Sequence, residues 1–217
     1  MKRLDYKLDG DLLIKSFPTH RVKERKELLI IILEAIRYIL VADKIDHNVI
    51  EVNRLVAYID YMQRLFFFSD KKYFSVALPF TLKIYDDKVS FSYQDRIVDA
   101  ELISNIISVL NSEMYDNQDC LDFMTPIDEY GSENIAFWSI LKYLMTYDLG
   151  YLRFDEDEKS YLSARRRGIP KKHPKFHLDI NFSNSATFKS GLSKKINQQE
   201  FIDIVDNKKD RWLLIEE

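Results

Sequence analysis

The residues that could do chemistry gather in the last third of the chain. From 165 to 180 it reads Arg165-Arg166-Arg167-Gly168-Ile169-Pro170-Lys171-Lys172-His173-Pro174-Lys175-Phe176-His177-Leu178-Asp179-Ile180. The second half of this stretch alternates. At period two, Phe176, Leu178, Ile180 and Phe182 point one way, and His177, Asp179, Asn181 and Ser183 the other. The flanking segments repeat the pattern. Leu152 and Phe154 oppose Tyr151, Arg153 and Asp155, and an inward Phe188 opposes Thr187 and Lys189. If these strands pair, one sheet face carries Arg153, Asp155, His177, Asp179, Thr187 and Lys189. A carboxylate beside an imidazole can orient it for proton transfer, or the two can serve as metal ligands. His177, Asp179, Lys189 and Arg153 are therefore the candidate catalytic residues. The ordinary alternative is the solvated side of a half-buried sheet.

Two acids and a lysine on one sheet form a pattern used by metal-dependent nucleases. Here, however, the usual E-x-K element is replaced by Thr187-Phe188-Lys189. His173 and His177 stand four apart, a zinc spacing only on a helix, and Pro174 and the strand pattern argue against a helix there. No metal site is expected. Cys120 lies among acids that would raise its pKa, which makes it a poor nucleophile. His20 and His47 read as structural. Arg167 and His173 have R-x5-H spacing, not the R-x4-H spacing of one common class of bacterial ribonucleases. No phosphate-binding glycine loop, Rossmann fingerprint, nucleophile elbow or kinase signature is present, so no cofactor is expected.

The first half of the stretch is basic. Arg165, Arg166, Arg167, Lys171, Lys172 and Lys175 are six of eleven residues, broken by Gly168, Pro170 and Pro174. The breakers predict a loop. Such a loop could follow a phosphate backbone, making these six the candidate nucleic-acid contacts. It could equally pair with Asp155-Glu156-Asp157-Glu158 just upstream, or be solvated. No interleaved aromatics offer a base-stacking platform.

The elements that must position these residues follow from patterning. Residues 1–20 read as an extended lead-in. Arg21–Ala42 reads as a helix apolar all round, hence packed on several sides. Asp43–Asp46 is a short polar break. His47–Phe68 reads as a second helix, with Ile50, Leu55, Ile59, Met62 and Phe66 near helical spacing, giving an antiparallel hairpin. Tyr73–Leu78, Phe80–Tyr85 and Val89–Tyr93, with a turn at Asp86-Asp87-Lys88, carry a β-hairpin signature. Asp99 caps a helix from Ala100 to about Asn111. Glu113–Tyr130 is acidic and irregular, without calcium-loop spacing, and reads as a solvated loop. Gly131-Ser132 caps a helix from Glu133 to about Asp148. Tyr151–Asp155, Phe176–Phe182 and Ala186–Ser190 read as strands, with a turn at Ser183-Asn184-Ser185. Asn197 with Glu200 resembles a capping box for a helix through about Val205. Arg211–Ile215 reads as a closing strand. The class is α+β: an N-terminal helical hairpin, a central β-hairpin and helices, and a small C-terminal antiparallel sheet.

Composition sets the outer bounds. The 217 residues suit one domain, residues 1–217, with room for a helical lobe over 1–70 and a mixed one over 71–217. A net charge of −3 excludes a polybasic protein, so any nucleic-acid contact must be local. One cysteine excludes an intrachain disulfide and a cysteine-based zinc site, and fits a reducing cytoplasm. Met1–Asp11 lacks the apolar core of a signal peptide. The most apolar run, Leu28–Ala42, contains Glu34 and Arg37 and is shorter than the ~20 residues a membrane span needs, so no membrane role is expected.

The tail from Leu152-Arg153-Phe154-Asp155 through His173-Pro174-Lys175-Phe176-His177-Leu178-Asp179-Ile180 resembles uncharacterised bacterial proteins encoded near mobile-element or phage-defence genes. In these an R-[FY]-D strand precedes HP-x-x-HL-x-[IV] and a short helix, here Gln198–Val205. Some members carry His at the position of Asp179. The resemblance covers roughly the last 65 residues and implies a defence context without an activity. Three expectations follow. The first is a non-enzymatic defence or mobile-element component working through protein partners and DNA or RNA, which needs an exposed, unpaired basic loop. The second is a phosphodiester-cleaving effector, which needs His177, Asp179, Lys189 and Arg153 to converge. The third is an interaction module, which needs an exposed apolar stripe within residues 47–68.

Overall fold

A computed structural model describes residues 3–45, 51–59, 61–86, 88–112, 135–183 and 186–209. They fold as α+β, in two compact units interleaved along the sequence. One unit takes Met1–Leu13, Lys44–Ala77 and Gly150–Glu217, and the other takes Ile14–Asp43 and Leu78–Leu149. The acidic stretch Glu113–Tyr130 with Cys120, the Gly131-Ser132 cap and the Arg211–Ile215 strand lie outside the described residues. So do His47, Ile50 and parts of the two expected turns, Asp87 of Asp86-Asp87-Lys88 and Asn184-Ser185 of Ser183-Asn184-Ser185.

The first unit is built on a seven-stranded antiparallel sheet. Its strands are β1 (Arg3–Lys7), β2 (Arg54–Tyr58), β3 (Arg64–Phe68), β4 (Lys72–Ala77), β8 (Leu152–Glu156), β9 (Phe176–Ile180) and β10 (Phe188–Leu192), in that spatial order. Residues 1–70 thus do not form a helical lobe. The expected lead-in contains β1 and a short helix, α1 (Gly10–Ser16), and within the expected helix over 47–68 the segments Arg54–Tyr58 and Arg64–Phe68 form a β-hairpin with Val56 opposite Phe66. The reason is burial on both faces. Leu55–Tyr58 and Leu65–Phe68 are buried at every position, so the strands show no alternation. Gln63, at φ 40, makes the turn between them. Leu65-Phe66-Phe67-Phe68 is the bulky aromatic run that a pleated surface favours. The exposed stripe required by the interaction-module expectation is absent from these described residues. The C-terminal strands extend this large sheet rather than forming a small one.

One face of the sheet packs on α6 (Gln198–Val205). Val56, Phe66, Phe68, Tyr73, Phe154 and Leu178 meet Ile196, Phe201 and Ile202 in a single apolar cluster. The helix begins where expected. Asn197 Oδ1 accepts from Glu200 N at 2.9 Å, and Glu200 Oε2 accepts from Asn197 N at 2.7 Å.

The second unit holds α2 (Arg25–Val41), a three-stranded sheet of β5 (Thr81–Tyr85), β6 (Lys88–Tyr93) and β7 (Arg96–Val98), α3 (Ala100–Leu110) and α4 (Ile135–Thr146). The expected hairpin is β5–β6, with Leu82 opposite Phe91, while β4 joins the large sheet instead. Helix α2 is buried on several sides between Leu28 and Ile39, and its buried Glu34 pairs with Lys15 and Arg37. Asp99 caps α3, accepting from Leu102 N at 2.8 Å. No helix among the described residues is long and apolar enough to cross a membrane.

Candidate functional site

Strands β8, β9 and β10 bring the candidate residues together by register. Arg153 lies opposite Asp179, Asp155 opposite His177, and Lys189 opposite Asp179. Directly opposed residues share a face, so all five side chains stand on one side while Phe154 and Leu178 enter the α6 core on the other. The face is not solvated as a half-buried sheet would have it. Asp155 is 6% exposed, and His177 and Asp179 are each 1% exposed.

The cover is the His173-Pro174 segment that leads into β9. Pro174 packs directly on β10: a Cβ added at Gly191 would stand 2.8 Å from Pro174 Cγ. The His173 ring meets the His177 ring edge-on, with centroids 5.2 Å apart. The third strand begins later than expected, at Phe188 rather than Ala186. Thr187 leaves the site, its hydroxyl donating to the Asn181 carbonyl at 3.1 Å. Phe188, expected inward, is 60% exposed at the sheet's edge.

The groups form a compensated network. Arg153 forks over both acids, with Nε 2.8 Å from Asp155 Oδ2 and Nη2 on Asp179 Oδ2. Lys189 Nζ lies 2.9 Å from Asp179 Oδ1 and 2.8 Å from His177 Nε2. His177 Nδ1 lies 3.0 Å from the Pro174 carbonyl. A carbonyl only accepts, so Nδ1 carries the hydrogen and Nε2 keeps its lone pair, which receives the Lys189 ammonium. Two carboxylates, two cations and a neutral imidazole sum to zero charge. The Asp155 Oδ1 atom is buried and receives no hydrogen bond.

Protonation follows from this arrangement. Burial, then the Lys189 ammonium, push the His177 pKa down. Burial alone would raise Asp179, but Lys189 and Arg153 hold it below the usual carboxylate range. Burial pushes the neighbouring Tyr151 hydroxyl up to about 12. The sign for stability is clear. An unfolded imidazole takes a proton below about pH 6.5 that the folded one refuses, so this contribution is complete above that pH and is lost as pH falls. Thermal unfolding between pH 7.5 and 5 should therefore show a falling Tm. That fall should be smaller in His177→Gln, and an identical fall in the variant would remove His177 from the argument.

The basic segment is ordered differently from the expected loop. Helix α5 (Glu158–Arg166) includes Arg165 and Arg166 in its last turn, and Arg167 caps it. The breakers Gly168 and Pro170 lie just beyond the arginines, so they end the helix rather than prevent it. Asp157 starts it, accepting from Ser160 N at 2.9 Å, and cations suit a helix C-terminus. Gly168 turns the chain at φ 74, and Pro170–Lys172 form one 3-10 turn. Arg165, Arg166, Arg167, Lys171 and Lys172 are exposed. Lys175 is not free: its Nζ lies 3.1 Å from Glu158 Oε1 and 3.9 Å from Glu156 Oε1. His173 Nε2 meets Asp157 Oδ2 at 3.1 Å. Partial burial would raise Asp157, but Ser160 and His173 bring it down to about 2. Beside the 3-10 turn is an open cavity of about 700 Å³, lined among others by Tyr161, Pro170, Lys171, Pro174 and Phe176.

Sequence reasoning placed Asp155 on this face but did not count it in the site. The signal was there: Arg153-x-Asp155 and His177-x-Asp179 share a period and lie opposite each other in register. With Asp155 included, one donor atom each from Asp155, His177 and Asp179 lie within 4.8 Å of one another. No family model, curated protein or solved structure matches this chain.

Proposed function

We propose that this chain is a component of a bacterial defence or mobile-element system that grips a nucleic-acid backbone with residues 165–172. The observation carrying the nucleic-acid part is the set of five exposed cations, Arg165, Arg166, Arg167, Lys171 and Lys172. No acidic partner for them occurs among the described residues. The nearby acids are engaged elsewhere: Glu156 and Glu158 by Lys175, Glu156 also by Lys195, and Asp157 by His173. Guanidinium and ammonium groups on a helix end and a tight turn can track phosphates. Tyr161 and Phe176 in the adjoining cavity offer apolar rings beside them. The defence setting and a protein partner rest on the resemblance of residues 152–180 alone.

The test is fluorescence anisotropy with labelled single- and double-stranded DNA and RNA over a series of salt concentrations. Arg165→Ala/Arg166→Ala/Arg167→Ala is expected to weaken binding on every sequence. It should reduce the salt slope by roughly 0.9 per lost phosphate contact on duplex DNA. Lys175→Ala, whose charge is already engaged, should change the slope little. Unchanged affinity and slope in the triple variant would falsify the proposal.

A second reading, phosphodiester cleavage, is favoured by the convergence of Arg153, His177, Asp179 and Lys189. Lys189, with a side chain 32% exposed, is the most accessible of them. Cleavage assayed with Mg²⁺, Mn²⁺ and EDTA should disappear in His177→Ala and in Asp179→Ala while circular dichroism stays native. Retained cleavage in both variants ends this reading.

A further inference from the structure

We propose that Asp155, His177 and Asp179 form a binding site for one divalent transition-metal ion, and that the Lys189 ammonium holds the place of that ion. The proposal depends on neither reading above.

Four observations carry it. The first is spacing. His177 Nε2 is 3.7 Å from Asp155 Oδ2 and 3.9 Å from Asp179 Oδ1. Nitrogen and oxygen ligands about 2.1 Å from zinc stand about 3.4 Å apart when tetrahedral, so these two spacings need to shorten by only about half an ångström, and all three donors already lie within 4.8 Å of one another. The second is the tautomer. Metal-binding histidines donate their other ring N–H to a carbonyl or carboxylate, and the Pro174 carbonyl already fixes Nε2 as the lone-pair atom. The third is an unsatisfied acceptor. The Asp155 side chain is nine-tenths buried, and its Oδ1 receives no hydrogen bond. A buried acceptor of that kind calls for a partner. Arg153 holds Oδ2, the same oxygen that stands 3.7 Å from His177 Nε2, and steadies the carboxylate, so an ion would share Oδ2 with Arg153 or take Oδ1 after a turn of the carboxylate.

The fourth is the lysine itself. Its Nζ sits within 2.9 Å of both His177 Nε2 and Asp179 Oδ1, two of the three donor atoms. It reaches them from β10, the edge strand, on a side chain one-third exposed. It can therefore swing into water as an ion enters, exchanging one positive charge for two. An imidazole with two carboxylates suits Mn²⁺, Fe²⁺, Co²⁺ or Zn²⁺ better than Mg²⁺ or Ca²⁺, which prefer oxygen alone.

The experiment titrates Co²⁺, read by visible absorption, and Mn²⁺, read by electron paramagnetic resonance, into the full chain. Lys189→Met keeps the apolar stem and removes the competing charge. It is expected to bind one ion at least about tenfold more tightly than the unaltered chain. His177→Gln is expected to lose the cobalt spectrum of a nitrogen-ligated site. Lys189→Met binding no tighter than the unaltered chain, or no ion held by either at millimolar metal, overturns the proposal. Because Lys189→Met removes only a partly exposed ammonium, the answer does not hang on whether the His177 variant folds.

Discussion

Arg153→Ala is expected to cost about 3–5 kcal/mol of folding stability, the penalty for leaving a buried ion pair half made. Among the described residues Arg153 is the cation that pairs with both Asp155 and Asp179, and its side chain is 16% exposed. Without it, among the described residues Asp155 keeps no Lys or Arg partner, and Asp179 keeps only Lys189. The loss would be a large share of the roughly 5–15 kcal/mol that holds a typical domain folded. Urea unfolding should show a lower midpoint at unchanged slope. Arg153→Ala/Asp155→Asn should recover part of the loss, since one carboxylate against Lys189 is again balanced. Arg153→Lys should not, because an ammonium cannot fork across two acids. A cost below about 1 kcal/mol for Arg153→Ala would reduce the network to an ordinary surface ion pair.

Phe201→Ala is expected to cost a similar amount, about 3–5 kcal/mol, by a different route. Phe201 is fully buried and stands edge-on to Phe66 and Phe68, with centroids 6.2 and 6.3 Å away. Tyr73 flanks it at 5.9 Å. Truncation leaves a void against three rings from β3 and β4, and stiff strands cannot close it. Phe201→Leu, which keeps most of the volume, should cost less than about 1.5 kcal/mol. Chemical denaturation of the two variants separates volume from aromatic contact. Equal and small losses in both would show that α6 does not anchor the sheet.

Much of this was legible in the residues, and the rest was hidden for identifiable reasons. Caps depend on local chemistry, so Asp99 and the Asn197–Glu200 pair announced α3 and α6. Alternation in Phe176–Ile180 announced β9 and placed His177 and Asp179 on one face. Residues 54–68 misled because full burial erases alternation, and Leu55, Ile59, Met62 and Phe66 then mimic a helical stripe. Arg165 and Arg166 mislead because Gly168 and Pro170 follow them and end the helix after the arginines rather than breaking it before them. Burial of the polar face was invisible, since it depends on Pro174 reaching across to Gly191. The balance of two acids against two cations was present in the sequence. Only the register of three strands made it a single network.

The pairing of β4 with β8 also sets an order of events. Ser75 and Leu152 are neighbours in the sheet yet 77 residues apart in the chain. Strands β2, β3 and β4 can pair through short turns as soon as they exist. The last three strands join only after the long intervening segment is made and its loop entropy overcome. During synthesis β4 is therefore the sheet's open border, with Tyr73 and Phe74 on it. A waiting edge of that kind invites pairing with another copy of itself. The step that completes the polar network is thus the same step that ends the chain's period of greatest danger from aggregation.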